Sequence, residues 1–227
     1  YTNEITGFGV LRILETIKEY NNKIKFYQAS SSEMYGLEKS FIKNESTQFD
    51  PISPYAVAKL HGYHIVRLYR NTFGMFASNG ILFNHESPLR GLEFVTRKIT
   101  NSVAKIKLGL QKNLVLGNLK VKRDWGYAPD YVEGIWLMLQ QKKPDDFVLA
   151  TNETHTVEEF AKESCRIAGV PLSVIKSNKK NFRPFDIKIQ KGDYSKARKN
   201  LGWKPKTTFK ELVKIMVESD IQRLSSS

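Results

Sequence analysis

Tyr55 and Lys59 stand four residues apart at the start of a helical pattern opened by Ser53-Pro54. One helix face therefore carries both, a turn apart, and Ser-Pro is a good helix start. A phenol has an ordinary pKa of about 10, and an ammonium group beside it favours the ionised form. Upstream, Ser31 and Glu33 sit just past a β-like run over 24–30, in and beside the cluster Ser30-Ser31-Ser32. The carboxyl edge of a strand is where α/β folds build sites. A tyrosine so placed can take a proton from a sugar hydroxyl while a nicotinamide takes the hydride. Tyr-x-x-x-Lys by itself is common in helices, and most glutamates are solvated loop carboxylates. The strand ending in serines ahead of the pair is what singles these groups out.

The elements that must position them alternate along the chain. Val10, Leu11, Ile13, Leu14 and Ile17 recur at helical spacing and predict a helix over 1–20, then a turn at Asn21-Asn22-Lys23 and a strand over 24–30. A polar loop follows Gly36, and the helix carrying Tyr55 and Lys59 runs over 55–71. Residues 76–83 carry no charge, as expected of a parallel strand buried on both faces. Further helices are expected over 94–108, 131–141, 157–168, 193–200 and 208–224, with short strands over 114–116 and 147–150. Thr156 and Glu159 read as a capping box, and Gly169-Val170-Pro171 as the stop of that helix. Such alternation argues a parallel α/β sheet with helices on both faces. A dinucleotide fold opens with a strand and a glycine-rich turn at a helix N-terminus. Gly7-Phe8-Gly9 does not supply it, because it lies inside the first helical pattern, where G-x-G is a chance match.

Four further stretches narrow the reading: Asn84-His85-Glu86-Ser87-Pro88, Lys122-Arg123-Asp124-Trp125-Gly126, Phe182-Arg183-Pro184 and Leu201-Gly202-Trp203-Lys204-Pro205. With Ser30–Gly36 and the Tyr55/Lys59 pair, the chain resembles the extended short-chain dehydrogenase/reductases acting on nucleotide sugars. Within them it is similar to the GDP-mannose 4,6-dehydratase family, from Tyr1 to about Leu224. The resemblance implies the C-terminal part of a doubly wound parallel, Rossmann-type sheet with a smaller C-terminal substrate-binding domain. Residues 1–90 would be a partial NADP-binding domain carrying the catalytic groups. Residues 91–227 would mostly bind the GDP-sugar, with some segments returning to the sheet. The expectation is that the N-terminal part of such a fold lies on residues not given, or is missing from a truncated product.

In that family hydride leaves sugar C4 for NADP, the C5 proton is removed, water leaves from C6, and the hydride returns to C6. The resemblance assigns Tyr55 to the C4 hydroxyl, Lys59 to tuning that phenol and holding the cofactor ribose, and Glu33 to the C5 proton and water loss. Ser31 stands where the family has threonine; it keeps the hydroxyl but loses the methyl that restricts its rotamer. Epimerases of the superfamily place a small or apolar residue at the Glu33 position, and glucose-nucleotide dehydratases an Asp-Glu pair where this chain has Ser32-Glu33. Tyr1, Lys59, His85 and Arg90 match cofactor contacts. The family's Ser-Pro-Arg-Arg-Gly loop reads Ser87-Pro88-Leu89-Arg90-Gly91 here, with one arginine gone, which weakens the inference of a homotetramer more than of a homodimer. Asn84, Lys98, Arg123, Arg183 and Asp186 match contacts to the GDP part, Asp186 replacing a longer glutamate. Separate arginines suit a diphosphate, which favours guanidinium forks. Arg123 taken alone would read as a surface ion pair with Asp124.

The bulk numbers agree with a soluble globular chain long enough to bury a sizeable core: 227 residues, 41% of them hydrophobic. No membrane span is expected, and the opening YTNEITGFGV lacks the basic and apolar regions of a signal peptide. The lone cysteine, Cys165, fits a buried structural thiol and a reducing compartment, so a cytoplasmic protein is expected. A net charge of +13 raises nucleic acid as a partner. No nucleic-acid motif accompanies it, and a nucleoside diphosphate ligand is the milder reading. His61, His64 and His155 lack metal-ligand spacing and read as structural. The competing readings are a non-catalytic fragment that keeps the GDP-sugar pocket or an oligomer surface and, behind it, a related epimerase or a basic nucleic-acid-binding module.

Overall fold

Apolar spacing, caps and a few glycines account for the elements. The computed structural model describes residues 1–182 and 187–226. Val10, Leu14 and Ile17 form the buried stripe of the first α-helix, Gly9–Tyr20 (α1). A π-helical segment, Glu4–Phe8, leads into it, so the expected helix over 1–20 is wound in two ways. Gly7 sits in that wider coil, and a Cβ there would lie 2.8 Å from the His61 ring. Strand Phe26–Ser31 (β1) follows, then helix Pro54–Phe73 (α2) and strands Ala77–Leu82 (β2) and Asn84–Glu86 (β3). Next come Val95–Lys107 (α3), Leu114–Leu116 (β4), Lys122–Arg123 (β5), Trp125–Tyr127 (β6), Ala128–Gln140 (α4), Asp146–Leu149 (β7) and His155–Thr156 (β8). Val157–Ala168 (α5), Ile175–Ser177 (β9), Ile189–Gln190 (β10), Ser195–Leu201 (α6) and Phe209–Ser225 (α7) complete the order. Asn152, with φ of 61°, is the described non-glycine residue in the left-handed region.

The central sheet is parallel, in the order β1-β2-β7, with Phe26 opposite Ala77 and Asn79 opposite Asp146. Every residue of β2 is buried, as a strand covered on both faces requires. On one face Val10, Leu14 and Ile17 of α1 pack with Val66 and Tyr69 of α2. On the other, Tyr131 and Met138 of α4 meet Phe147, Leu149, Leu201 and Trp203. Asp146 buckles sheet to helix: its carboxylate takes both Arg70 Nη atoms (2.8 and 2.9 Å), Asn79 Nδ2 (2.9 Å) and Tyr63 Oη (3.1 Å). The free edge of β7 is covered from the loop after Gly36, where Glu45 accepts the Val148 N–H at 2.7 Å. Uncovered edges invite pairing with other chains.

A separate apolar cluster joins α3, α5 and α7: Ile99, Val103, Phe160, Ala161, Cys165, Leu212, Val213 and Met216 are all buried. Thr156 and Glu159 form the capping box of α5, and Gly169 ends it at φ +69°. Burial pushes the Cys165 thiol up to about 11, which keeps it unreactive. Arg97 and Asp220, both buried, tie α3 to α7, and the Thr100 hydroxyl donates to the same carboxylate at 2.6 Å. Small ladders link this cluster to the sheet: β3 with β6 in parallel, and β10-β5-β8.

Candidate active site

The carboxyl end of β1 delivers Ser31 and Glu33. Residues Ser32–Tyr35 wind directly off the strand into a 3-10 turn, and the Ser31 hydroxyl accepts the Glu33 N–H at 3.2 Å. Gly36 then turns the chain with φ of 51°; a Cβ there would lie 1.7 Å from the Asp50 carbonyl oxygen. Only glycine lets the loop return so tightly against this turn. The first turns of α2 deliver Tyr55 and Lys59. Ser53 caps that helix by accepting the Ala56 N–H at 3.1 Å, and Pro54 begins it.

Lys59 reaches across to β1, where its ammonium donates to the Ala29 carbonyl at 2.8 Å. The same ammonium lies 5.6 Å from the centre of the Tyr55 ring. Burial raises the Tyr55 phenol above its ordinary value, against a hydrogen bond from Ser31, with Glu33 adding to the rise and Arg90 opposing it. Burial lowers Lys59. Desolvation therefore outweighs the expected tuning of the phenol by the lysine: in the protein alone both groups are driven toward their neutral forms.

The facing wall comes from β3 and the residues after it. His85 Nδ1 lies 2.8 Å from the Phe83 carbonyl, which can only accept. Burial lowers this histidine, so the neutral ring donates through Nδ1–H and presents Nε2 as an acceptor. Its ring stacks on Tyr131. Glu86, 2% exposed, accepts the Thr96 hydroxyl at 2.6 Å and faces Arg90 Nε at 3.3 Å. The Arg90 guanidinium lies 3.6 Å from the centre of the Phe94 ring, fixed between that ring and the carboxylate. Asn84 Oδ1 is buried and meets no donor among the described residues. Arg123, on β5, donates through Nη1 to the Lys122 and Ile187 carbonyls at 3.0 and 2.7 Å.

One cleft of about 740 Å³ gathers these groups. Ser31, Glu33, Tyr55 and Lys59 line one part, and Asn84, His85, Arg90, Lys98 and Arg123 the rest. The volume lies within the range of small-molecule sites. Tyr1 stands apart, 98% exposed ahead of the first helix and not among the cleft residues. Arg183 and Asp186 lie outside the described residues. Among the described residues no histidine, cysteine or carboxylate cluster could hold a metal ion, and no helix is long and apolar enough to cross a membrane.

Arg123 taken alone would read as half of a surface ion pair, but its neighbour Asp124 is not at the surface. It is wholly buried. Its carboxylate accepts the Thr151 N–H and hydroxyl at 2.8 and 2.7 Å, the Asn152 N–H at 3.0 Å and the Gly192 N–H at 3.2 Å. Burial lifts it to about 6 against those bonds. The residue beside Arg123 is thus a knot joining three segments. Its place inside Arg-Asp-Trp, between a cleft arginine and a buried tryptophan, is the one signal that could have marked it.

Comparison with known proteins follows from this geometry. The family model described as GDP-mannose 4,6 dehydratase matches residues 1–216. GDP-mannose 4,6 dehydratase 1 of Arabidopsis thaliana is 49% identical over 227 residues, covering 98% of this chain and 63% of the relative. The human GDP-mannose 4,6 dehydratase is 45% identical, covering 100% of this chain and 66% of its own length. The chain thus spans a little under two thirds of these relatives. Among solved structures, RMD from Pseudomonas aeruginosa complexed with NADPH has a TM-score of 0.89 at 24% identity, covering 97% of this chain and 74% of that one. UDP-glucose 4-epimerase from Thermotoga maritima, with UDP-glucose, has a TM-score of 0.83 at 26% identity, covering 99% and 71%. The shared fold is the Rossmann-type α/β fold of dehydratases and epimerases.

Proposed function

The chain belongs to the GDP-mannose 4,6-dehydratase family, and from that membership we propose that its cleft carries out the conversion of GDP-mannose to GDP-4-dehydro-6-deoxymannose with loss of water. The observation that carries the reading is the convergence of Ser31, Glu33, Tyr55 and Lys59 on one cleft with Asn84, Arg90, Lys98 and Arg123. We assign residues 1–90 mainly to the cofactor and the chemistry, and 91–227 mainly to the GDP-sugar.

The donor set fits a nicotinamide dinucleotide. Lys59 keeps protons beyond the one spent on Ala29, which suit ribose hydroxyls, and the unmet Asn84 Oδ1 awaits a donor. Arg90 is the cleft cation suited to the extra phosphate of NADP. A bound nicotinamide would supply the hydride acceptor for C4 and the hydride donor for C6. Tyr55 takes the proton of the C4 hydroxyl as that carbon becomes a ketone, and Ser31 holds the hydroxyl through its own oxygen. The ketone acidifies C5–H, and Glu33 removes that proton and passes it to the departing C6 hydroxyl, which leaves as water. Tyr55 then delivers its proton to C5 and is restored to its starting form. The sugar is oxidised at C4 and reduced at C6, so no outside oxidant is consumed. Arg123 and Lys98 hold the diphosphate in this assignment, with Arg183 and Asp186 as further contacts to the GDP part. A homodimer or homotetramer working in the cytoplasm is part of the same proposal.

The test is the full-length enzyme with Glu33→Gln, trapped by borodeuteride. Glu33→Gln keeps shape and removes the base, so the 4-keto hexose should accumulate and trapping should return hexoses deuterated at C4 and almost no 6-deoxyhexose. Wild type should return 6-deoxyhexoses. Deoxyhexose formed by Glu33→Gln at near-normal rate would remove the glutamate from the elimination, whereas wild type returning a C4-epimerised hexose and no 6-deoxyhexose would favour an epimerase.

A further inference from the structure

We propose that Gln190 is a positioning residue for the Ser31–Glu33 turn, holding it in register with the strand that carries Arg123. What the turn does chemically rests on the dehydratase reading; where Gln190 sits does not. Its Nε2 donates to the Ser32 carbonyl at 2.7 Å, across 158 positions of sequence, and the residue is 1% exposed. On β10, Gln190 lies opposite Arg123 of β5, and its own carbonyl accepts the Asp124 N–H at 3.1 Å. Asp124 in turn grips Thr151, Asn152 and Gly192. A single side chain thus joins the turn bearing Ser31 and Glu33 to the ribbon bearing Arg123, from the side away from the cleft lining.

The other half of the amide argues that this side chain adds little net stability. Gln190 Oε1 is buried and meets no donor among the described residues. Leaving a buried acceptor unmet costs more than one neutral hydrogen bond returns. An apolar side chain of equal length would remove that unmet oxygen but leave the buried Ser32 carbonyl without this donor, so the exchange is close to neutral for stability. What glutamine alone supplies is the N–H that holds the Ser32 carbonyl, and a small displacement of a reacting group is expensive in rate.

Gln190→Met keeps length and volume and removes both amide atoms. In the full-length protein with NADP and GDP-mannose, its Tm should stay close to that of wild type, because removing the unmet oxygen offsets the loss of the Ser32 carbonyl's donor. Its kcat should fall about ten- to a hundredfold, with KM within about twofold. Gln190→Glu, which sets a carboxylate against the Ser32 carbonyl, should lose at least as much turnover. An unchanged kcat in Gln190→Met overturns the proposal, and so does a loss of Tm that runs parallel with the loss of activity. Hydrogen exchange decides the matter without turnover. Amides in residues 31–36 should exchange about tenfold faster in Gln190→Met while β2 and α5 stay protected, and equal exchange in both proteins overturns the proposal. Should wild type fail to turn over GDP-mannose, the dehydratase reading falls, and the exchange comparison alone settles Gln190.

Discussion

A base must be deprotonated to act, and desolvation raises the Tyr55 phenol above its ordinary value although the residue is still 44% exposed. The sign of the pH dependence follows. The phenol's titration lies above its ordinary value, so kcat/KM should climb with pH through the alkaline range instead of levelling near neutrality. Arg90 pulls the phenol down, so Arg90→Met should shift that limb further alkaline. Tyr55→Phe should lower turnover by about a hundred- to ten-thousandfold, and a flat pH profile in wild type would sink the assignment. At this scale much was legible. Tyr55, Lys59, Ser31 and Glu33 are close in sequence, and helix and strand periodicity brings them together. Gln190 and Asp124 were not, because Gln190's partner lies 158 positions away and Asp124's lie 27, 28 and 68 away, and a buried amide or carboxylate carries no periodic signal.

Among the elements, caps and long apolar stripes were readable, and short strands were not. α5 has the predicted bounds, because Thr156, Glu159 and Gly169 mark both its ends. Thr156→Ala should cost about 1 kcal/mol in urea unfolding. Strands β5, β8 and β10 have two residues each, too few for a period-two pattern, so the ribbon holding Arg123 left no trace in the sequence. The π-helical lead into α1 was equally hidden, since helical spacing does not reveal which carbonyl each N–H meets. Asp146 is where elements are joined most tightly. Burial pushes its carboxyl up, but the Arg70 fork, Asn79 and Tyr63 outweigh it and hold it below the usual range. Its stabilising share is therefore complete above about 3.9 and lost as pH falls through the folded value. Asp146→Asn should cost about 3–5 kcal/mol at neutral pH by stranding Arg70, and its stability should fall less than that of wild type on acidification. Asp124 works in the opposite sense: raised to about 6, it favours folding fully below about 3.9 and loses that share as pH rises from there through 6.

Over the whole molecule, the cleft lies between the sheet with its flanking helices and the cluster of α3, α5 and α7, so ligand bridges two packed bodies of one chain. With a net charge of +13, the protein's field favours a nucleoside diphosphate sugar. GDP-mannose should raise Tm more than UDP-glucose does, and the shift should shrink between about 0.05 and 0.5 M salt as screening grows. Equal shifts for both sugars would remove the case for guanine selectivity, and a salt-independent shift would remove the diphosphate from the recognition. The alternating pattern foretold the parallel sheet. Its order of β1, β2 and β7 was not foretold, because no local signal records which strand lies beside which.

That order also sets a tempo. Each pairing in the central sheet joins strands with a helix or more between them, Phe26 to Ala77 and Asn79 to Asp146. None can form as a hairpin, so every ladder must wait for a long loop to close. The α1–α2 pair is local and lies ahead of β2 in the chain, whereas β2's partner β7 comes after α3 and α4, and Glu45 then covers its edge. Until β7 docks, β2 pairs with β1 on one side and leaves the other edge of an uncharged strand open. Newly made chains are therefore most vulnerable to sticking to one another after β2 emerges and before β7 does.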